Sequence, residues 1–123
     1  KDLQFRKIRE LEKKNIQVSA MYIIGFPTDN SQTIQDTIDY AIKLNTTYAQ
    51  FSVWTPYPGT PIFKTFEKEI STTKFEDFDQ YNLVYNHKLF SSKEIRKLLS
   101  NAYSAYYLRL RWIFKYVNSF FFS

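Results

Sequence analysis

Two short loops contain every glycine and proline of this 123-residue chain, and they are where its sequence could bind a ligand. The first covers residues 22–30 (YIIGFPTDN), and the second covers residues 55–61 (TPYPGTP). Each follows an apolar run and precedes a helical pattern. Glycine permits unusual backbone angles or close approach, and proline fixes the backbone. Because ligands of parallel α/β sheets bind at strand-to-helix loops, we expect both loops to face one site.

The elements around these loops alternate between helix and strand. Because parallel strands are joined by crossover helices, this order predicts an α/β fold with parallel strands. Two strands alone do not make a stable parallel sheet, and the chain begins in a helical pattern without Met. We therefore expect a piece of a longer protein. The predicted elements are a helix at 2–14, a strand buried on both faces at 18–25, a helix from about 31 to 44, a strand at 48–54 and a short helix at 62–68.

The parity of the second strand predicts a cavity wall. Side chains alternate between the two faces of a strand. Gln50, Ser52 and Trp54 share a polar face that could line a substrate cavity, and Met21 and Ile23 on the first strand could share that lining. The opposite face, which we expect to meet helices, consists of Ala49, Phe51 and Val53.

The composition excludes cysteine chemistry, and the charge differs between the two ends of the chain. There is no cysteine, so the chain can form no disulfide, thiolate metal site or cysteine nucleophile. Residues 1–87 carry 10 basic and 11 acidic side chains, whereas residues 88–123 carry 7 basic and 1 acidic. The net charge of +5 thus arises from the C-terminal region. With neither a secretory leader nor a membrane-length apolar run, we expect a cytoplasmic protein.

Residues 71–90 predict a connecting segment, because their aromatic side chains show no steady period. The acidic cluster in this segment is expected to be solvated or capping rather than a metal site, which would need more oxygen ligands. His87, the single histidine, is expected to be a surface or packed residue rather than an acid–base group. The cluster consists of Glu76, Asp77 and Asp79.

Residues 91–123 predict a C-terminal helical extension. The pattern from Ser91 to Glu94 resembles a capping box, and apolar spacing continues to Val117 as if in one long helix. Residues 109–123 combine basic and aromatic side chains. Such a helix can pack on the rest of the protein, lie at a membrane interface or, less consistently with the residues present, contact nucleic acid.

The two loops resemble those of a known superfamily. Residues 24–27 (IGFP), between a strand and a polar helix start, resemble the fifth strand–loop unit of radical S-adenosylmethionine (radical SAM) enzymes. Residues 51–61 resemble their sixth strand and its loop. Residues 107–113 (YLRLRWI) are similar to the helix after the barrel in the subgroup with an N-terminal cobalamin-binding domain. The resemblance implies that residues 1–70 are the C-terminal part of a partial TIM barrel.

The resemblance implies radical chemistry for a full-length parent. In that superfamily, three cysteines hold a 4Fe-4S cluster that binds S-adenosylmethionine, and its reductive cleavage starts the reaction. We expect the full-length parent to bind these two cofactors. Binding of cobalamin, through an N-terminal domain that is absent from this chain, stays open. A small-molecule or lipid-like organic substrate is expected, with methyl transfer, cyclisation and oxidative rearrangement all open. Because the cluster cysteines are absent, we expect the 123-residue piece alone to be inactive and to hold no metal.

The resemblance also assigns positions to the cofactor side. Superfamily members usually have Gly-Glu-Thr after Phe-Pro, where this chain has Thr28, Asp29 and Asn30, and a proline where it has Leu110. Asp29 keeps the negative charge and could cap the next helix. The implied cofactor-binding residues are Ile24, Gly25, Phe26, Pro27, Thr55, Pro56 and Tyr57.

Two alternatives stay open. Within the superfamily, the parent could be a methylthiotransferase-like RNA-modifying enzyme, although such enzymes usually continue into a small β-barrel where this chain continues into helices. Outside it, the chain could be a non-catalytic α/β remnant that binds a partner or a membrane through residues 109–123. A Cys-x3-Cys-x2-Cys segment encoded upstream would favour the enzyme.

Overall fold

The computed structural model describes residues 2–122. Helices and strands alternate through the first half, and the second half is irregular and then helical, which gives an α/β architecture. In chain order, the elements are α1 (Asp2–Lys13), β1 (Ser19–Ile24), α2 (Ser31–Leu44), β2 (Tyr48–Val53), α3 (Pro61–Phe66), two short 3-10 turns (Glu67–Glu69 and Phe75–Asp77), α4 (Ser92–Tyr107) and α5 (Leu110–Phe121).

The two strands form a parallel sheet with β1 and β2 as direct neighbours. Their register runs from Ser19 opposite Tyr48 to Ile24 opposite Val53. The helix between them begins at a capping box, in which Asn30 accepts from backbone N–H groups and Thr33 bonds back to it. It ends at a left-handed residue, Asn45. The parallel α/β prediction is therefore confirmed for the described residues.

One face of the sheet forms the core. Tyr22 and Ile24 of β1 lie beside Phe51 and Val53 of β2, and α2 and α4 cover them. The hydrophobic effect stabilises this packing because large apolar side chains leave water. The helices contribute Ile34, Ile38, Ala41, Ile95, Leu99, Ala102 and Tyr106 to the same cluster.

The outer edge of β2 is closed by side chains of α4. The Tyr107 hydroxyl accepts from the Ala49 N–H at 2.9 Å and donates to the Ala49 carbonyl at 2.7 Å. The Tyr103 hydroxyl does the same at Phe51, at 3.0 and 2.9 Å. The N–H of the next outward residue, Val53, donates to the Gln80 carbonyl. A further strand therefore has no free pairing groups along this edge.

Two expectations need correction. The first strand is not buried on both faces, because Met21 is 67% exposed and Ile23 is 45% exposed. The helical stripe of residues 91–117 is not one helix either, since α4 ends at Tyr107 and α5 begins at Leu110. The break coincides with bonds from Arg109 to the end of α2, which local periodicity does not encode. None of the helices within residues 2–122 is both long and apolar enough to cross a bilayer.

Candidate functional site

The two glycine- and proline-containing loops lie side by side at the carboxyl ends of β1 and β2. Ile24 and Val53 are the last partners of the sheet register. The Trp54 N–H then donates to the Ile24 carbonyl oxygen at 2.8 Å. The rings of Phe26 and Trp54 follow, with centroids 6.0 Å apart. Both loops therefore extend from the carboxyl end of the sheet, as the α/β pattern predicted.

The carboxylate of Asp29 organises the first loop. Its Oδ2 accepts the backbone N–H groups of Gly25 at 2.9 Å and Phe26 at 3.0 Å. Its Oδ1 accepts the Thr33 hydroxyl at 2.8 Å, which ties the loop to the first turn of α2. The acidic residue at the point of departure from the superfamily pattern thus has a defined structural role: it orders the loop, while the neighbouring Asn30 caps the helix.

Side chains from the connecting segment hold the carbonyl groups of the same loop. The Tyr85 hydroxyl donates to the Gly25 carbonyl at 2.7 Å, and burial raises the pKa of that hydroxyl, which keeps it a donor. His87 Nδ1 accepts the Leu89 N–H at 3.0 Å, so the proton of the neutral ring lies on Nε2. That nitrogen then donates to the Phe26 carbonyl at 2.8 Å.

The turn of the first loop consequently has no unbonded backbone group at Gly25 or Phe26. All four backbone polar groups of Gly25 and Phe26 have protein partners. Gly25 adopts φ +82°, a left-handed conformation that glycine tolerates best. At Gly25 and Phe26, the loop therefore offers a ligand its shape and the partly exposed Phe26 ring rather than hydrogen bonds.

The second loop keeps backbone donors available. The Thr55 hydroxyl donates to the Val53 carbonyl at 3.0 Å. The Thr60 hydroxyl caps α3 by accepting the Phe63 N–H at 3.3 Å, and it donates to the Tyr57 carbonyl at 2.6 Å. Within residues 2–122, however, the N–H groups of Thr55 and Tyr57 have no hydrogen-bond partner. This loop could therefore offer specific polar contacts to a ligand.

The five predicted cavity residues do not share one environment. Ser52 is buried, with its hydroxyl 3.4 Å from the Tyr22 carbonyl. Trp54 lies one residue beyond β2 and packs edge-to-face against Phe66 and Tyr85, at centroid distances of 5.1 and 5.2 Å. The residues exposed on the open face of the sheet are Met21, Ile23 and Gln50.

A cavity of about 390 Å³ lies elsewhere, near the amino ends of the strands. Glu12 and Asn15 from the end of α1, Thr47 before β2, and Trp112 and Lys115 of α5 are among its lining residues. None of the residues predicted for the cofactor or the substrate lines it. Size alone therefore does not identify the loop site.

The described residues differ in how well they fit the two implied cofactors. An iron–sulfur cluster requires thiolates, and the chain has no cysteine, so it does not fit the residues present. S-adenosylmethionine is less demanding, because the second loop has unpaired N–H groups at Thr55 and Tyr57 and begins directly after Trp54, whose ring lies 6.0 Å from that of Phe26. Ile24 and Pro56 are fully buried and could act only through the backbone. Among the described residues, no group of three or more His, Asp or Glu could hold a metal ion.

Sequence reasoning missed the role of the connecting segment in the site. His87 is partly buried, as a packed residue should be, but its bond to Phe26 makes it part of the loop. Tyr85 was not singled out at all. The available signal was the apolar run of Leu83, Val84 and Tyr85, since β-branched and aromatic residues favour an extended segment. Tyr85 indeed forms an isolated antiparallel bridge with Ile70. Asp77 and Asp79 are turn acceptors, as expected.

The fold and the paired loops define the class first: an α/β segment with two loops side by side at the carboxyl ends of two parallel strands. No family model matches the chain. An uncharacterised methyltransferase of Pyrococcus horikoshii is 33% identical over 110 residues, which cover 88% of this chain and 24% of that protein. An alignment of that extent includes both loops and α4.

Other relatives are named for different activities. The bacteriochlorophyllide d C-12(1)-methyltransferase of Chlorobaculum tepidum is 28% identical over 94 residues, covering 76% of this chain and 20% of that protein. A tRNA-2-methylthio-N(6)-dimethylallyladenosine synthase of Buchnera aphidicola is 34% identical over 61 residues, covering 47% of this chain and 14% of that protein. The chain thus spans at most about a quarter of these relatives. They include enzymes of the radical SAM superfamily, which confirms the resemblance found in the loops.

Proposed function

We propose that this chain is the C-terminal part of the catalytic barrel of a radical SAM enzyme, and that its second loop binds S-adenosylmethionine. The observation that carries the proposal is that two loops with different hydrogen bonding lie side by side at the carboxyl end of the sheet. In the first, the backbone groups of Gly25 and Phe26 all have protein partners, and the second retains the free N–H groups of Thr55 and Tyr57 within the described residues. In the parent, a cluster bound by other residues would supply reductive cleavage of the cofactor.

The sheet supports a place at the end of a partial TIM barrel. The β2 edge is occupied by Tyr103, Tyr107 and Gln80, so further strands could join only at β1. The face that carries Met21, Ile23 and Gln50 is open, as a barrel-lining face would be before the remaining strands enclose it. We propose this face as part of the substrate cavity, with a small organic substrate.

The chemistry of the parent is a separate proposal. Methyl transfer is favoured, because the methyltransferase of Pyrococcus horikoshii aligns over most of this chain. A methylthiotransferase-like parent is the second candidate, but its alignments cover between 44% and 68% of the chain, less than the 88% of the methyltransferase. The described residues after β2 also continue into α4 and α5 rather than a β-barrel. A cobalamin domain in the parent would fit the first candidate.

The reading frame upstream of Lys1 tests the enzyme proposal directly. A Cys-x3-Cys-x2-Cys segment encoded in frame is expected. A stop codon or an unrelated domain there would contradict the proposal and favour a remnant. The encoded protein, prepared without oxygen and supplied with iron, sulfide and a one-electron reductant such as dithionite, should then convert S-adenosylmethionine into methionine and 5′-deoxyadenosine.

A loop variant tests the role of the second loop. Tyr57→Pro removes one unpaired N–H and should raise the KM for S-adenosylmethionine about tenfold or more, the value of one lost hydrogen bond to a charged ligand. Tyr57→Ala is the matched control, because it removes the same side chain but keeps the N–H. Equal KM values for the proline variant, the control variant and the unmodified full-length enzyme would contradict cofactor binding by this loop.

A further inference from the structure

The helix α5 packs on the protein through its polar and aromatic side. The Trp112 indole N–H donates to the Thr47 carbonyl at 2.9 Å. The Lys115 ammonium donates to the Asn45 carbonyl at 2.6 Å and pairs with Glu12 at 2.5 Å. These contacts all lie on one side of the helix. They determine which side of α5 faces the body of the protein.

The turn before α5 is also held firmly. The Arg109 guanidinium donates to the carbonyl oxygens of Tyr106 at 2.6 Å and Ile42 at 3.2 Å, and to Asn45 Oδ1 at 3.0 Å. It also lies over the Tyr106 ring, 4.5 Å from its centroid. The orientation of α5 therefore follows from several bonds to two other helices.

The opposite side of α5 is an apolar stripe that faces outward. Its members recur at helical spacing and are between 40% and 72% exposed. An amphipathic helix of a folded domain normally buries its apolar side. In α5 the apolar side faces outward and the polar side faces the protein. A contiguous exposed apolar patch marks an interaction surface. This outer stripe consists of Leu110, Ile113, Phe114, Val117, Phe120 and Phe121.

The charge around the outer stripe indicates what covers it. The sequence contains no Asp or Glu after Glu94, and Arg111 is exposed on α5. A second copy of the chain would bring basic groups against basic groups. An anionic lipid surface instead supplies an apolar interior and a negatively charged boundary. At 12 residues, α5 is about 18 Å long and would lie along the surface rather than cross it.

We propose that α5 docks in the interface of an anionic lipid bilayer, with the outer stripe toward the acyl chains and Arg111 toward the headgroups. This inference does not depend on the radical SAM proposal, because it rests on the orientation and charge of α5 alone.

Flotation of the full chain with vesicles tests the proposal. The chain should float with phosphatidylglycerol–phosphatidylcholine vesicles and much less with phosphatidylcholine alone. Phe114→Ser with Phe121→Ser should lower the partition coefficient about tenfold or more. The matched control is Phe75→Ser with Leu89→Ser, since these residues are exposed elsewhere and should leave flotation unchanged. Arg111→Gln should lower binding to the anionic vesicles about fivefold.

Folding and self-association are measured beside flotation. Because the stripe residues are exposed, the serine variants should keep the thermal unfolding midpoint of the unmodified chain. The proposal is overturned if the chain does not float with anionic vesicles, or if the stripe and control variants float equally. Light scattering that shows a dimer lost in the stripe variants, together with no flotation, would assign the stripe to a second copy instead.

Discussion

At the scale of single residues, Asp29 explains why the first loop can keep its shape without a ligand. Its carboxylate satisfies two adjacent N–H groups, while Tyr85 and His87 satisfy the carbonyl groups beside them. Such a loop is pre-organised, because binding need not order it. The variable position after Phe26–Pro27 can therefore differ from the superfamily pattern as long as an acceptor reaches those N–H groups.

A pair of glycine variants tests this closure. Gly25 and Gly59 both have positive φ, +82° and +87°. Gly25→Ala should lower the free energy of unfolding by about 1–2 kcal/mol, because four hydrogen bonds prevent the loop from relaxing the strain. Gly59→Ala should lower it by less than about 1 kcal/mol, since no atom lies within 4 Å of the added methyl group and the loop can adjust.

Urea unfolding of the two variants provides the measurement. Equal losses, or a larger loss for Gly59→Ala, would show that the first loop is no more constrained than the second. The sequence predicted that both glycines shape loops, because glycine and proline act locally. It did not predict the difference between them, which depends on partners four residues away for Asp29 and about 60 residues away for Tyr85 and His87.

At the scale of elements, α4 has two roles. Its buried residues pack on the sheet, and its tyrosines satisfy the backbone of β2. The 3.6-residue spacing predicted the first role. It could not predict the second, because the spacing of Tyr103 and Tyr107 is equally typical of a packed helix. The same limit applies to the break before α5, which depends on Arg109 and the end of α2.

Removal of the two hydroxyls tests the second role. Tyr103→Phe with Tyr107→Phe should lower the free energy of unfolding by about 2–4 kcal/mol, because backbone groups of Ala49 and Phe51 lose their partners. The freed edge should also make the chain associate at high concentration. Chemical unfolding and light scattering measure these effects.

The control removes two hydroxyls from partly exposed positions. Tyr81→Phe with Tyr116→Phe should change neither stability nor association, since neither hydroxyl has a hydrogen-bond partner in residues 2–122. If this control associates as strongly as the α4 variant, edge closure by tyrosine is not the cause.

At the scale of the whole molecule, buried tyrosines set the alkaline limit of stability. Burial raises the pKa of Tyr22 to about 12, and it also raises the pKa values of Tyr85 and Tyr106. Unfolded tyrosine titrates near pH 10, so between about pH 10 and 12 the unfolded chain binds fewer protons than the folded chain. The free energy of unfolding should therefore fall as the pH rises through this window.

Tyr22→Phe isolates one contribution. It should reduce the slope above pH 10 by up to about 1.4 kcal/mol per pH unit. It should also leave stability at pH 7 unchanged or higher, because the buried Tyr22 hydroxyl has no hydrogen-bond partner within the described residues. Tyr81→Phe, at a half-exposed site, is the comparison. An unchanged alkaline slope in Tyr22→Phe would contradict the assignment.

The closed edge of β2 also has a consequence for the order of folding. Its hydroxyl partners follow 52 and 58 residues later in the chain. During synthesis, β1 and β2 can pair as soon as α2 has formed, but the outer edge of β2 stays uncovered until α4 has left the ribosome. Contacts of such long sequence separation form late. A nascent chain that pauses within residues 54–91 would therefore expose an unpaired strand edge that is prone to aggregation. In that state, a chaperone that covers the edge would have its largest effect.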